Sequence, residues 1–215
     1  MVADYSIVIQ KLPYLLQGAA ITLYISVLSL ILGLVCGVIL ALMRDSKNVV
    51  LSKVSFVYIW IFRGTPLLVQ LFILYFGLPS IGISLPSFSA AVLGLGLNTA
   101  AYVAEIVRSG IQAVDPGQLE AAKALGMGWG LEMRRIVAPQ ATKICLLPMV
   151  NQFVATIKNS SMVSLVTVAE LMRVGDQIIA TSFNAFSVYT SIAVLYLIIT
   201  SIFMVLSNVL KKKLV

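Results

Sequence analysis

Residues 12–42 read LPYLLQGAAITLYISVLSLILGLVCGVILAL, a run of 31 residues without a charged side chain. A transmembrane helix needs about 20 apolar residues to cross roughly 30 Å of hydrocarbon, so residues 19–43 alone are long enough. The run is too long for the apolar core of a cleaved signal peptide, and Asp4 and Lys11 do not form the basic leader that such peptides carry. This stretch therefore predicts a first membrane span.

The composition of the whole chain agrees with a membrane protein. Of its 215 residues, 60% are hydrophobic and 11% are charged, whereas soluble domains carry about 25% charged residues. Disorder is excluded because a chain this apolar buries its surface. Histidine is absent, and Cys36 and Cys145 lie inside apolar runs without metal-ligand spacing. We therefore expect no catalytic residue, no metal and no cofactor.

Other uncharged stretches predict four further spans. Between Arg63 and Glu105 lie 41 uncharged residues, interrupted in the middle by glycine and proline that indicate a tight loop between two spans. The predicted spans cover residues 19–43, 54–78, 88–107, 144–171 and 186–210. Together they form one all-α transmembrane domain, residues 1–215, with five helices.

Orientation follows from the cations, which are enriched in cytoplasmic loops. Eleven of the fifteen Lys and Arg residues lie in the 44–53 loop, the 108–143 loop and the C-terminal tail. The N-terminus is therefore expected outside and the C-terminus in the cytoplasm. The net charge of +7 is then explained by the orientation of the chain and by attraction to the lipid surface. Nucleic acid is not expected as a partner.

The cytoplasmic loop at about 108–143 contains signals for a short helix of its own. Asp115 suits the N-cap, Pro116 suits the first helical position, and Gln118 completes a capping box. Helix-forming residues 119–125 follow, and Gly126 is placed to end the helix in a left-handed turn.

This loop carries a recognisable motif, E-A-A-x3-G-x9-I-x-x-P. Its members are Glu120, Ala121, Ala122, Gly126, Ile136 and Pro139. The spacing resembles the EAA loop of the membrane subunits of binding-protein-dependent ABC importers. One departure is Ala138, which stands where the family usually has leucine.

A second resemblance covers FRGTPLLVQLF at 62–72 and polar positions of the following span, Asn98, Tyr102, Glu105 and Arg108 among them. These residues resemble the polar amino acid branch of the same permeases. The resemblance implies a type I (MetI-like) permease fold in a bacterial inner membrane, and ATP-driven import of a polar or basic amino acid such as arginine, lysine, histidine or glutamine.

The resemblance also implies partners. In that family two permease subunits work as a pair, beneath an extracellular or periplasmic solute-binding protein and above a dimer of ATPase subunits; a homodimer is the simpler expectation, and a related chain is the alternative. No Gly-Lys pair occurs in the chain, so the phosphate-binding P-loop is absent and ATP must be bound by a partner. By analogy, the loop helix transmits motion from the ATPase. The expected contacts are Glu120, Ala121, Ala122 and Gly126.

Two interruptions suggest where a substrate binds. Span two is broken at 63–66, after roughly 14 Å of helical rise from residue 54. There Thr65 and Pro66 are expected to start a new half-helix. Such half-helix ends hold anionic substrate groups in transporters. Span four predicts a second break at 158–161, since 144–157 is too short to cross alone. The candidate substrate-binding residues are Arg63, Gly64, Thr65, Gln70, Asn98, Tyr102, Glu105, Lys158, Asn159, Ser160 and Ser161.

Alternatives remain open for these residues. Polar groups inside spans also bond one helix to another. Glu105 either faces the cavity, which favours a cationic substrate, or pairs with Arg108 three residues on. For Arg63 there are three alternatives: it binds a substrate carboxylate, it extends its charged end to the membrane surface, or it pairs with Glu105. Farther along, Glu170, Arg173 and Asp176 are expected at the outer face, as a gate, a docking rim or a solvated helix end.

Two other function classes compete with the importer. An ion-gradient-driven transporter or small channel would use the intramembrane Glu105 and Lys158 as coupling groups, but it does not require the capped cytoplasmic loop. An integral membrane enzyme is not expected, because the chain contains no histidine, no metal-ligand cluster and no nucleophile motif.

Overall fold

The computed structural model describes residues 5–214, and all regular elements in that range are helical. The α-helices are α1 Ser6–Arg44, α2 Val49–Gly64, α3 Leu67–Phe72, α4 Ser87–Gln112, α5 Pro116–Ala124, α6 Trp129–Glu132, α7 Ala138–Asn159, α8 Leu171–Ser182 and α9 Ala185–Leu214. Two π-helical segments, Ile73–Gly77 and Met133–Val137, and two 3₁₀ segments, Leu78–Ile81 and Ser160–Val166, complete the helical path. The all-α expectation is confirmed over the described range.

Several of these helices are able to cross a membrane. Ser6–Arg44, Ser87–Gln112 and Ala185–Ser207 are long and apolar enough by themselves, and Val49–Gly64 with Leu67–Ile81 adds a fourth if the bent pair is one span. The predicted fourth span, 144–171, falls on α7 and the 3₁₀ segment after it, so a count of five stays a prediction. Helix α1 contains the whole predicted first span, 19–43, and continues on its N-terminal side through Pro13 to Ser6.

The longest helix, α1, packs closely along α4 because glycine occupies the contact. A Cβ atom on Gly37 would lie 2.5 Å from Cγ1 of Val103, and one on Gly33 would lie 2.6 Å from Cγ2 of Thr99. This Gly-x-x-x-Gly spacing brings two backbones together where lipid offers no hydrophobic driving force for helix association. The α1–α4 pair forms the frame on which the other helices are placed.

The apolar core lies in layers along this frame. At one end Leu15 of α1 packs with Ile157 of α7, Leu171 of α8 and Val188 of α9. A separate small cluster under the loop between α4 and α7 includes Val114, Val137 and Ala141. The loop is thus packed onto the membrane helices and does not hang free.

Helix α7 ends at Asn159, within the interruption that the sequence predicted at 158–161. It begins at Ala138, earlier than expected, so its 22 residues rise about 33 Å. The helical path then tightens into the 3₁₀ segment Ser160–Val166 and turns only at Thr167, with φ of 66°. At 158–161 the winding therefore changes from α to 3₁₀, and the left-handed turn follows later, at Thr167.

Glu170 is fully buried, contrary to the solvated helix end considered from the sequence. Its carboxylate caps α8 by accepting from the Arg173 amide at 2.9 Å, and it also accepts from the Tyr196 hydroxyl at 2.9 Å and from Thr22 at 3.2 Å. A buried carboxylate is tolerated only when hydrogen bonds replace its water. These bonds fix the start of α8 against α1 and α9.

Candidate functional site

The sequence-predicted break between α2 and α3 is present, and the helical path bends there by 105° between Val49–Gly64 and Leu67–Ile81. Thr65 and Pro66 are extended, with ψ of 148° and 137°. The expected capping is wrong in detail: α3 begins at Leu67, and Thr65 donates its hydroxyl backwards to the Ile61 carbonyl at 2.8 Å. Thr65 therefore closes α2 and does not cap α3.

Two buried amides fill the break. The Gln70 amide nitrogen donates to the Phe62 carbonyl at 3.0 Å and to the Thr65 hydroxyl at 2.9 Å, and that of Asn98 donates to the Gln70 side-chain oxygen at 3.0 Å. Broken backbone inside a membrane needs such partners, since hydrocarbon offers none. For Gln70 and Asn98, bonding between helices is thus the role that the contacts display.

Beside the break, a cavity of about 430 Å³ opens between α2, α4 and the end of α1. Four predicted substrate-binding residues line it together: Arg63, Gly64, Tyr102 and Glu105. The remaining lining residues are Arg44, Phe56, Ile59, Trp60 and Arg108. Aromatic rings beside charged groups suit a small zwitterionic solute.

The charges in this cavity form one network centred on Glu105. Arg63 Nη1 lies 3.3 Å from Glu105 Oε2, and Arg108 Nε lies 3.5 Å from Glu105 Oε1. Both pairings considered from the sequence are therefore present at once. The Arg63 guanidinium also stands 5.5 Å from the centroid of the Tyr102 ring, a distance at which cation and ring attract each other.

Positive charge exceeds negative charge in the cavity. Three arginines, Arg44, Arg63 and Arg108, face the single Glu105, giving the lining a net charge of +2. Arg108 Nε is buried and makes no hydrogen bond within the described chain. Its contact with Glu105 Oε1 at 3.5 Å is an ion pair without hydrogen-bond geometry.

The segment 158–161 does not join this cavity. Ser160 donates to the Ile157 carbonyl and Ser161 to the Lys158 carbonyl, each at 2.8 Å within its own turn. The Lys158 side chain is exposed. Neither these residues nor Asn159 line the cavity.

Helix α5 of the loop between α4 and α7 has the predicted ends with one correction. Asp115 is the N-cap and accepts from the Gly117 amide. The capping box does not form, because the Gln118 side chain accepts from Gln140 on α7. At the other end Gly126 has φ of 74°, and Met127 N donates to the Ala122 carbonyl at 3.0 Å, which completes the glycine-dependent helix end.

The exposed surface of α5 differs from the predicted contact set. Glu120, Ala121 and Gly126 are exposed, but Ala122 is 1% exposed and turns into the chain. Leu125 and Trp129, which are not in the predicted set, are 81% and 67% exposed just after the helix. Large apolar side chains in a charged cytoplasmic loop were the available signal.

Comparison with known proteins agrees with this architecture. Residues 31–215 match the family described as binding-protein-dependent transport system inner membrane component. The chain is 42% identical to the probable amino-acid ABC transporter permease protein YckA of Bacillus subtilis, over 95% of this chain and 91% of YckA. It is 39% identical to the arginine transport system permease protein ArtQ of the same species, over 98% and 97%. Against the glutamine transport system permease protein GlnP of Escherichia coli it is 38% identical, over 97% and 95%.

Solved structures show the same fold. A crystal structure of an amino acid ABC transporter with histidines aligns with a TM-score of 0.95 and 39% identity, covering 99% of this chain and all of the other. The MetNI methionine ABC transporter, in an inward-facing form, aligns with a TM-score of 0.79 over 96% and 98% of the two chains; at 20% identity it supports the fold alone.

These matches confirm the expected importer permease with a MetI-like fold in the bacterial inner membrane, and they do not support the ion-gradient-driven alternative. Membership implies a binding protein and an ATPase as partners. With 185 of its residues inside the family match, the chain belongs to the inner membrane components of binding-protein-dependent transport systems.

Proposed function

We propose that this chain is the permease subunit of an ABC importer that carries amino acids, with cationic ones as its substrates. The relatives whose names print a substrate include an arginine and a glutamine permease. The observation that carries the cationic assignment is the carboxylate of Glu105 in the wall of a cavity beside a break in the membrane helices.

Glu105 and its arginines have the chemistry to bind both ends of an amino acid. Ion pairs with side chains about one-third exposed, as here, are worth only about 0–1 kcal/mol. A substrate ammonium or guanidinium therefore displaces Arg63 from Glu105 at little cost. The released Arg63 guanidinium, with Arg108 beside it in the cavity wall, then binds the substrate carboxylate.

The net charge of +2 favours a second candidate substrate. Three arginines against one glutamate attract a carboxylate more strongly than they attract a cation. A neutral amino acid such as glutamine would bind through its carboxylate alone, and Glu105 would serve only to hold the arginines in place.

The test is uptake of labelled arginine and glutamine by cells that carry Glu105→Gln or Glu105→Asp as the sole permease. If Glu105 binds the substrate cation, the Glu105→Gln variant loses a charged hydrogen bond of about 1.5–3 kcal/mol. Arginine uptake by this variant then falls about tenfold or more. The Glu105→Asp variant should retain part of the arginine uptake, and glutamine uptake should not fall in either variant.

Asp45→Asn, which removes an exposed carboxylate at the end of α1, is the control and should transport normally. Equal loss of both substrates in Glu105→Gln, with normal amounts of protein in the membrane, would assign Glu105 to the neutral-substrate alternative.

In this proposal the energy reaches the cavity through the cytoplasmic loop. A separate ATPase dimer binds ATP, so the permease itself needs no cofactor and catalyses no reaction. The exposed Glu120, Ala121, Leu125 and Trp129 form the contact surface, and Leu125 and Trp129 supply its apolar anchors. The buried Ala122 lies on the face of α5 that packs against the rest of the chain.

The proposed assembly is a pair of identical permease chains beneath a solute-binding protein. Each chain is one domain, residues 1–215, with five spans, its N-terminus outside and its C-terminus in the cytoplasm. The cation distribution supports the orientation. The polar cavity then lies along the pathway between the two copies.

A further inference from the structure

A second cavity, an apolar groove of about 550 Å³, lies between α1, α4 and α7. On α1 it is lined at every fourth residue from Leu30 to Leu42, and on α4 by Val107 and Ile111. The walls are aliphatic apart from a few small groups such as Thr142. No part of the proposed transport mechanism uses this groove.

The groove lies on the opposite side of α4 from the polar cavity. At 100° per residue, Val107 of the groove is rotated about 200° from Glu105 of the cavity. The neighbouring outer face of α1 exposes Ile31, Val35 and Ile39, each more than half exposed. A side that faces away from the polar pathway and continues into exposed aliphatic surface faces lipid.

The length of the groove matches one leaflet of the bilayer. Twelve residues separate Leu30 from Leu42, which corresponds to about 18 Å of helix. Half of the hydrocarbon core is roughly 15 Å. An extended acyl chain therefore fits the groove from the membrane surface to the middle.

Three exposed cations stand at the loop end of the groove. Arg134 and Arg135 lie between the lining residues Met133 and Ala138, and Lys143 follows the lining residue Thr142. The adjacent Glu132 is buried. Basic groups beside an apolar groove on the cytoplasmic side attract anionic headgroups.

We propose that this groove binds one acyl chain of an anionic phospholipid of the cytoplasmic leaflet, with the lipid phosphate held by Arg134, Arg135 and Lys143. The bound lipid fills the space between α1 and α7 that the protein leaves open. The cytoplasmic location of this end rests on the proposed topology, but the lipid test needs no transport activity.

The test is native mass spectrometry of the assembled transporter, purified in mild detergent and exposed to equal amounts of phosphatidylglycerol and phosphatidylethanolamine. The wild type should retain phosphatidylglycerol in preference. Val38→Trp places a ring in the groove and should lose the retained lipid, whereas Ile39→Trp adds the same ring to the neighbouring exposed position and should keep it.

A charge variant separates the headgroup from the acyl chain. Arg134→Gln/Arg135→Gln/Lys143→Gln should retain lipid without preference for phosphatidylglycerol, and the control Lys53→Gln, on α2 away from the groove, should behave as wild type. Equal retention by Val38→Trp and Ile39→Trp would overturn the proposal. A change of subunit stoichiometry in Val38→Trp alone would also overturn it, because the groove would then hold another protein chain.

Discussion

Glu105 shows how one side chain can satisfy two structural roles and remain available for a third. It pairs with Arg63 from a neighbouring helix and with Arg108 from its own. Neither pairing buries the carboxylate, so the ion pairs give α4 little stability. Instead, the ion pairs hold the carboxylate at the cavity wall, where a substrate can replace one of the two arginines.

Gln70 and Asn98 have the opposite balance, since both are buried and their hydrogen bonds are made within the protein. The sequence alone did not distinguish these amides from substrate ligands. A broken helix needs donors for its free carbonyls, and a substrate needs donors for its carboxylate, so the same residue types serve both purposes.

Replacing Gln70 with leucine should therefore destabilise the protein. The carbonyls of Phe62 and Thr65 would lose their donor, at a cost of about 1–3 kcal/mol. For a chain of this size that lowers the unfolding midpoint by roughly 2–4 °C per kcal/mol. Thermal unfolding in detergent measures the shift. Gln112→Leu, at the exposed end of α4, is the matched control, and equal midpoints for the two variants would contradict the role of Gln70.

Among the elements, helix α5 was the most predictable. Its N-cap, its first proline and its terminal glycine are local signals, and each acts on backbone groups within a few residues. The break at Gly64–Pro66 was predictable for the same reason. The capping box failed because Gln118 found a partner on α7, which no local signal encodes.

Features that depend on tertiary packing were missed. Burial of Glu170 requires Thr22 and Tyr196 from two other helices. Exposure of Leu125 and burial of Ala122 depend on which face of α5 meets the chain. Charge and hydropathy along the sequence do not determine that face.

Gly126→Val should uncouple ATP hydrolysis from uptake. The positive φ of this residue costs a β-branched side chain about 1–3 kcal/mol, so the end of α5 and the direction of Leu125 change. We expect uptake per ATP hydrolysed to fall sharply while the permease stays in the membrane. Gly130→Val, where an added Cβ meets open space, should couple normally. Normal coupling in both variants would remove α5 from the transmission path.

On the scale of the whole molecule, the two cavities divide the surface into a transport side and a lipid side. The polar cavity and the apolar groove share α4 as a common wall. Motion of the loop that follows α4 therefore acts on a helix that contacts the proposed substrate and the proposed lipid. A rigid α1–α4 pair, held by Gly33 and Gly37, suits this transmission.

The proposed topology predicts which loops are accessible from outside. In a background with Cys36→Ala and Cys145→Ala, a cysteine at Ser84 should react with a membrane-impermeant maleimide on intact cells. A cysteine at Lys47, in the predicted cytoplasmic loop, should react only after permeabilisation. Both positions are exposed, so the difference reports sidedness alone; the reverse pattern would invert the topology.

Uptake of labelled arginine into proteoliposomes tests the central claim most directly. The vesicles contain this chain with its ATPase, and the binding protein is supplied outside. The account predicts accumulation only when ATP is enclosed with the ATPase, unaffected by ionophores that dissipate ion gradients. Accumulation that persists without ATP and disappears when the ion gradient is dissipated would contradict it.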